Sequence, residues 1–202
     1  MFMTNHVVLP IGTWTKENNI AGLRLADLIA YPSFKATWAR HAGQALPSIL
    51  TGFSRLDEFM GGLQRSDLII VAGRPSMGKT NLALNIARNA AVNQKAKVAL
   101  FSLEMASQPV AIRMLSSEAN IEFNRIWRHN YEPGSQEEMH VMEATGKLSE
   151  APIYIDDSPM LRIAELRAKA HRLQMEFGLD MIILDYLQLM QVPGTKENRA
   201  TE

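Results

Sequence analysis

The sequence predicts an α/β domain with a mainly parallel sheet and helices on both faces. Short apolar, β-branched runs alternate with longer amphipathic segments. One such run leads straight into a glycine-rich loop and then a helix. The composition is 47% hydrophobic and 21% charged over 202 residues. That supplies a core for one domain with a short appendage and excludes wholesale disorder.

Residues 1–46 read as an N-terminal helical extension or linker. Ile20 to Ala30 forms an amphipathic helix that ends at Tyr31-Pro32, because the residue before proline avoids helical geometry. A second helical piece runs from Ser33 to Arg40. The boundary falls between Gly43 and Ser48, and residues 47–202 form the core. Leu68 to Ala72 reads as a strand buried on both faces, followed by a helix from Lys79 to Asn93 with Leu82, Ile86 and Ala90 on one stripe. Val98 to Ser102 is a second buried strand and Pro109 to Ser117 a helix. Ser135 and Glu138 form a capping-box pattern for a helix reaching Leu148. Ile153 to Ile155 is a third strand. Ile163 to Phe177 is a helix stopped by Gly178, and Met181 to Leu184 is a fourth strand.

Several function classes drop out early. There is no cysteine, hence no disulfide, thiolate nucleophile or cysteine-rich zinc site. No apolar run approaches bilayer-spanning length. The start, MFMTNHVVLPIG, lacks the basic residues and long apolar stretch of a signal peptide, so the expected location is cytoplasmic. Basic and acidic residues balance at 21 each. Nucleic-acid binding therefore needs a local basic patch, or several subunits pooling one.

Gly73-Arg74-Pro75-Ser76-Met77-Gly78-Lys79-Thr80 fits G-x-x-x-x-G-K-[ST] between a strand and a helix. Glycines let the backbone wrap phosphate oxygens, and the helix presents its positive N-terminal end to the same anion. Lys79 is the residue for the β- and γ-phosphates of ATP, and the Thr80 hydroxyl a ligand for Mg²⁺. Asp185, closing the apolar run Met181 to Leu184, is the second Mg²⁺ residue. Glu104, just past another buried strand, is the candidate catalytic base. Parallel strands bring all three to one sheet edge, where ligands of such sheets bind.

These blocks, with Gly61-Gly62-Leu63-Gln64-Arg65-Ser66-Asp67-Leu68 before the loop, Tyr154-Ile155-Asp156-Asp157 and Asp185-Tyr186-Leu187-Gln188-Leu189-Met190, resemble the C-terminal motor domain of DnaB-type replicative helicases. The resemblance runs from about Pro47 to Asn198. It implies a RecA-like phosphate-loop core, a homohexameric ring, translocation on single-stranded DNA driven by ATP hydrolysis, and other replisome proteins as partners. It also implies that the next strand, bearing a γ-phosphate sensor, inserts between the strands of Lys79 and Asp185. That strand, the DNA-contacting loops and an arginine finger are expected past Glu202. The core is thus expected to be incomplete at its C-terminus, leaving two buried strands unpaired or forced together. On that expectation the isolated chain is aggregation-prone or partly open, with negligible ATPase activity and no unwinding. The competing readings are a RecA- or RadA-type recombinase ATPase, which shares the Thr51-Gly52-Phe53…Leu56-Asp57…Gly61-Gly62 preamble, and a non-catalytic nucleotide-binding fragment.

Other features have ordinary explanations. Asp156-Asp157 reads as a solvated loop start rather than a metal pair. The basic residues Arg162, Arg167, Lys169 and Arg172 share their helix with Glu165 and Glu176, as on a solvated face. Trp127, beside Arg125 and Arg128, reads as a partly buried anchor in a helical insertion. The histidines show no ligand spacing, and the methionines fill core.

Overall fold

The computed structural model describes the backbone of residues 4–10, and residues 48–74 and 76–190 in full. The elements are β1 (Thr4–Pro10), α1 (Ser54–Met60), β2 (Ile69–Gly73), α2 (Lys79–Gln94), β3 (Val98–Ser102), α3 (Ser107–Ala119), α4 (Phe123–Trp127), α5 (Gln136–Ser149), β4 (Ile153–Asp156), α6 (Ile163–Glu176), β5 (Met181–Asp185) and a 3₁₀ turn (Leu187–Leu189). The helices expected at Ile20 to Ala30 and Ser33 to Arg40 lie outside the described residues.

The strands form one sheet in the order β2-β1-β5-β3-β4. β3 runs parallel to β4 and β5. β1 runs antiparallel to both β2 and β5, so β2, β3, β4 and β5 all point the same way. The expected strand-wide gap between β2 and β5 is thus neither left open nor closed by direct pairing. Residues 4–10, expected from the sequence to belong to a helical linker, fill it. Thr4 stands opposite Gly73, and Pro10, with no N–H to donate, closes the strand opposite Met181.

β3 and β5 are buried at every position. Successive strand side chains point to opposite faces, so each strand feeds two cores. Val98, Leu100, Met181 and Ile183 pack with Leu84, Ile86, Ala87 and Ala90 of α2 and Val110 and Met114 of α3. Ala99, Phe101, Ile182 and Leu184 pack with Leu166 and Ala170 of α6. Helices thus cover both faces. β2 corrects the expectation of a strand buried on both sides: Ile70 is 42% exposed and Ala72 is exposed, while Ile69 packs inward. β2 is an edge strand, and among the described residues the apolar cluster under α6 draws on β3 and β5.

Caps are as local as the sequence suggests. Ser135 Oγ accepts from the Glu138 N–H at 3.3 Å, and the Glu138 carboxylate accepts from the Gly134 N–H. Gly178 ends α6 at φ +78°. The stretch before β2 is held by Asp57, whose carboxylate accepts from the N–H and hydroxyl of Thr51 at 2.8 and 2.7 Å and from the Gly52 N–H at 3.0 Å. Buried Asn89 of α2 donates to the Thr51 carbonyl at 2.8 Å. Gly52 sits at φ +81°, and a Cβ there would lie 2.2 Å from Asn89 Nδ2. Gly52→Ala is therefore expected to lower stability by about 1–3 kcal/mol, read as a drop in the urea midpoint at unchanged slope.

Candidate functional site

The carboxyl ends of β2, β3, β4 and β5 share one edge of the sheet. Gly73 ends β2, Gly78 turns the chain at φ +81°, and Lys79 opens α2. Ser76 is also left-handed at φ 63°, and the Met77 N–H meets the Arg74 carbonyl at 3.4 Å. A backbone so tightly curled aims successive N–H groups into its hollow, at the positive end of α2. The Lys79 ammonium reaches back across the loop and donates to the Gly73 carbonyl at 3.0 Å. Thr80 follows on the first turn, half-buried. Arg74, Ser76, Met77 and Gly78 are exposed on the loop, and Pro75 lies outside the described residues.

Asp185 lies two strands from this loop, only 2% exposed, in register with Ser102 of β3. The Asp185 carbonyl accepts from the Leu103 N–H at 2.7 Å, tying the exit of β3 to that of β5. The next turn is closed by Ser102 Oγ, which donates to the Met105 carbonyl at 2.7 Å, and it presents Glu104 to solvent. Tyr186 senses both acids. Burial first, then the negative charges of Glu104 and Asp185, push its phenol above the usual tyrosine range. It therefore stays a neutral O–H group at neutral pH. A carboxylate at Asp185 and a hydroxyl at Thr80 are hard oxygen donors of the type Mg²⁺ takes. Among the described residues no group of three or more His, Asp or Glu side chains gathers to hold a metal. Magnesium here would thus share its shell with phosphate oxygens and water.

Two residues at this edge stand outside the sequence-based candidates. Tyr186 falls within a quoted block but carries no role there. Arg113, in the middle of α3, donates to Asn81 Oδ1 on the first turn of α2 at 3.0 Å. Its guanidinium lies over the Phe123 ring, 5.2 Å from the centroid, and its buried Nε makes no hydrogen bond among the described residues. A lone arginine at mid-helix carries no spacing that would flag it.

Asp156 and Asp157 are structural. Asp156 pairs with Lys169 at 2.5 Å and accepts from the Ser158 N–H at 3.0 Å. Burial opposes its charge, but the Lys169 and Ser158 hydrogen bonds outweigh it, so the carboxyl titrates below the usual range. Asp157 accepts from the Ser107 N–H at the start of α3, and that hydrogen bond lowers its pKa. Arg172 pairs with Glu176 on the surface of α6, an ordinary solvated contact. Trp127 is 42% exposed and stacks on Phe123 at 5.7 Å between centroids.

Replicative DNA helicase DnaB of Geobacillus stearothermophilus is 49% identical over 158 residues, covering 78% of this chain and 34% of that protein. Replicative DNA helicase DnaB of a Nostoc species is 44% identical over 196 residues, covering 93% of this chain and 21% of that protein. The chain thus spans about a third of the first of these relatives and about a fifth of the second. Among solved structures, a DnaB-like replicative helicase studied with primase superposes with a TM-score of 0.67 at 24% identity, over 83% of this chain and 41% of that one. A solved ATPase domain gives 0.64 at 23%, over 83% and 59%. These two likenesses show that the chain shares the fold of those domains. The sequence model of the DnaB-like helicase C terminal domain matches residues 48–202, most of the chain, and the chain belongs to that family.

Proposed function

We propose that the chain is the nucleotide-binding part of a replicative helicase motor, in which ATP binding and hydrolysis drive movement along single-stranded DNA. The observation that carries this is the convergence of the phosphate loop, Glu104 and Asp185 on one sheet edge in a member of this family. Lys79 and the loop N–H groups bind the β- and γ-phosphates. Thr80 and Asp185 would hold Mg²⁺, which would supply positive charge against the phosphate oxygens. Glu104, open to solvent beside that site, orients the attacking water and takes its proton. Arg113 adds a fixed positive charge beside the first turn of α2. The working form is a homohexameric ring, which pools the DNA-binding charge that one neutral chain lacks. Other replisome proteins are its partners, and the cytoplasm is where it acts. Among the described residues no helix is long and apolar enough to cross a membrane.

The test is ligand-induced stabilisation. Mg-ADP at about 100 times its Kd should add about 2.7 kcal/mol of stability and raise Tm by several degrees. Adenosine, which lacks phosphates, should add nothing. An equal shift with both would remove the phosphate-loop reading.

A further inference from the structure

Glu104 stands on the short turn from Leu103 to Ala106, between β3 and α3. A base open to solvent needs something to fix its direction, and the turn is held at several points. Leu103 continues the alternation of β3 and packs with Ala99 and Phe101 in the cluster under α6. Its N–H donates to the Asp185 carbonyl at 2.7 Å. Met105 packs in the other cluster, with Val98 and Leu100 on the face covered by α2 and α3. The chain thus crosses from one face of the sheet to the other at Glu104, with its two neighbours anchored on opposite sides. The Ser102 hydroxyl donates to the Met105 carbonyl at 2.7 Å and closes the crossing.

The far end of the turn is held from another strand. α3 starts after Ala106, whose methyl group caps nothing, and Pro109 in its first turn has no N–H. The Ser107 N–H is one of the orphan donors of that helix end. It donates at 2.7 Å to the carboxylate of Asp157, 50 residues away along the chain. Asp157 lies just past β4, whose last residue, Asp156, stands opposite Phe101 of β3. The N–H and hydroxyl of Ser107 hold the Asp157 carboxyl below its usual range, and a carboxylate is the favourable charge at a helix N-terminus. Asp157 is itself fenced in. Asp156 accepts from the Ser158 N–H at 3.0 Å, and Lys169 of α6 donates to Asp156 at 2.5 Å and to the Ser158 hydroxyl at 2.7 Å. The residues on either side of Asp157 are thus fixed to one another and to α6.

We propose that Asp157 is a positioning residue for Glu104: by tying the start of α3 to the exit of β4, it fixes the turn that aims the base at the nucleotide site. This rests on the reading of Glu104 as the base. Asp157 acts through the hydrogen bond it accepts, not through its charge, and Glu104 lies only three residues from that bond. The tie matters because a misplacement of about 1 Å at a reacting group costs as much as 10²-fold in rate.

Three variants separate the hydrogen bond from the charge. Asp157→Ala removes the acceptor. Asp157→Asn keeps an acceptor that serves equally well at a helix start. Ser107→Pro removes the donor at the first helical position, where proline is tolerated, and Ala106 already has the extended backbone that must precede it. In the longest form of the protein that turns over ATP, Asp157→Ala and Ser107→Pro should each lower kcat about ten- to a hundredfold. Nucleotide Kd should stay within about twofold, since no binding contact is lost. Asp157→Asn should recover most of the rate. In a Glu104→Gln background Asp157→Ala should change kcat by less than about twofold, because the group it aims is gone. In the 202-residue chain without nucleotide, the Ser107 amide should exchange with solvent at least about tenfold faster in Asp157→Ala than in the parent or Asp157→Asn.

Four results would overturn the proposal: parent-like turnover in Asp157→Ala while Glu104→Gln is slow, an Asp157→Asn variant as slow as Asp157→Ala, an undiminished loss in the Glu104→Gln background, or a Ser107 amide that exchanges alike in all three chains. Normal turnover in Glu104→Gln alone removes the reading of the base and the proposal with it. Should Asp157→Ala fail to fold, Ser107→Pro cuts the same bond from the other side and decides the matter by its kcat.

Discussion

Lys79→Ala should abolish binding of a fluorescent ADP or ATP analogue at concentrations that saturate the parent chain. The ammonium is a positive charge at the loop, donating to the Gly73 carbonyl at 3.0 Å. Its removal leaves backbone N–H groups, a helix terminus worth only about 0.3–1 kcal/mol to an anion in an exposed setting, and the Arg74 and Arg113 charges, neither of which is at the Lys79 position. The substitution sits on the first turn of α2, half-exposed, where alanine is a strong helix former. Folding should be unaffected, and a circular dichroism melt checks this. Unchanged affinity in a folded variant would show that the loop is not the phosphate site.

Glu104→Gln should separate binding from chemistry. The side chain is exposed on the turn after β3, on the same edge as Asp185, and its charge is felt at Tyr186. The change to an amide keeps the shape and removes the base. In the longest form of the protein that turns over ATP, kcat should fall at least about tenfold and as much as 10⁴-fold, the span of general-base contributions. Nucleotide Kd should stay within about twofold, below any effect expected from loss of a binding contact. A variant with normal turnover moves the base elsewhere, and Tyr186 and the loop after Asp185 become the places to look.

The parts of the site written in fixed spacing are readable from the chain. The phosphate loop is local, so its motif, preceding strand and following helix lie within one contiguous stretch. β3 and β5 are readable because strands buried on both faces leave continuous apolar runs, and both prove buried throughout. The same rule misleads at β2. Ile69, Ile70 and Val71 form such a run, yet Ile70 is exposed, because sequence alone does not say which strand is an edge. β1 is hidden for a related reason. His6-Val7-Val8-Leu9 is too short to stand out, and its partners lie some sixty residues or more away in β2 and β5. Pairing over such separations leaves no periodic trace. α1 and α4, of seven and five residues, escape the sequence too. Helices that short depend on tertiary contacts such as the hold of Asp57 on Thr51, not on propensity. Arg113 belongs with them: its nearness to α2 comes from the packing of α3.

An equilibrium titration of the chain with ADP, with and without Mg²⁺, on the parent and on Asp185→Asn, tests the account most directly. A buried carboxylate on β5 and a phosphate loop on β2 lie at one sheet edge, where a Mg²⁺ ion would link them. The parent should bind one nucleotide per chain, more tightly with Mg²⁺ than without. Asp185→Asn should keep the Mg²⁺-free affinity and lose the gain. No saturable binding, or an Asp185→Asn variant that responds to Mg²⁺ like the parent, would contradict it.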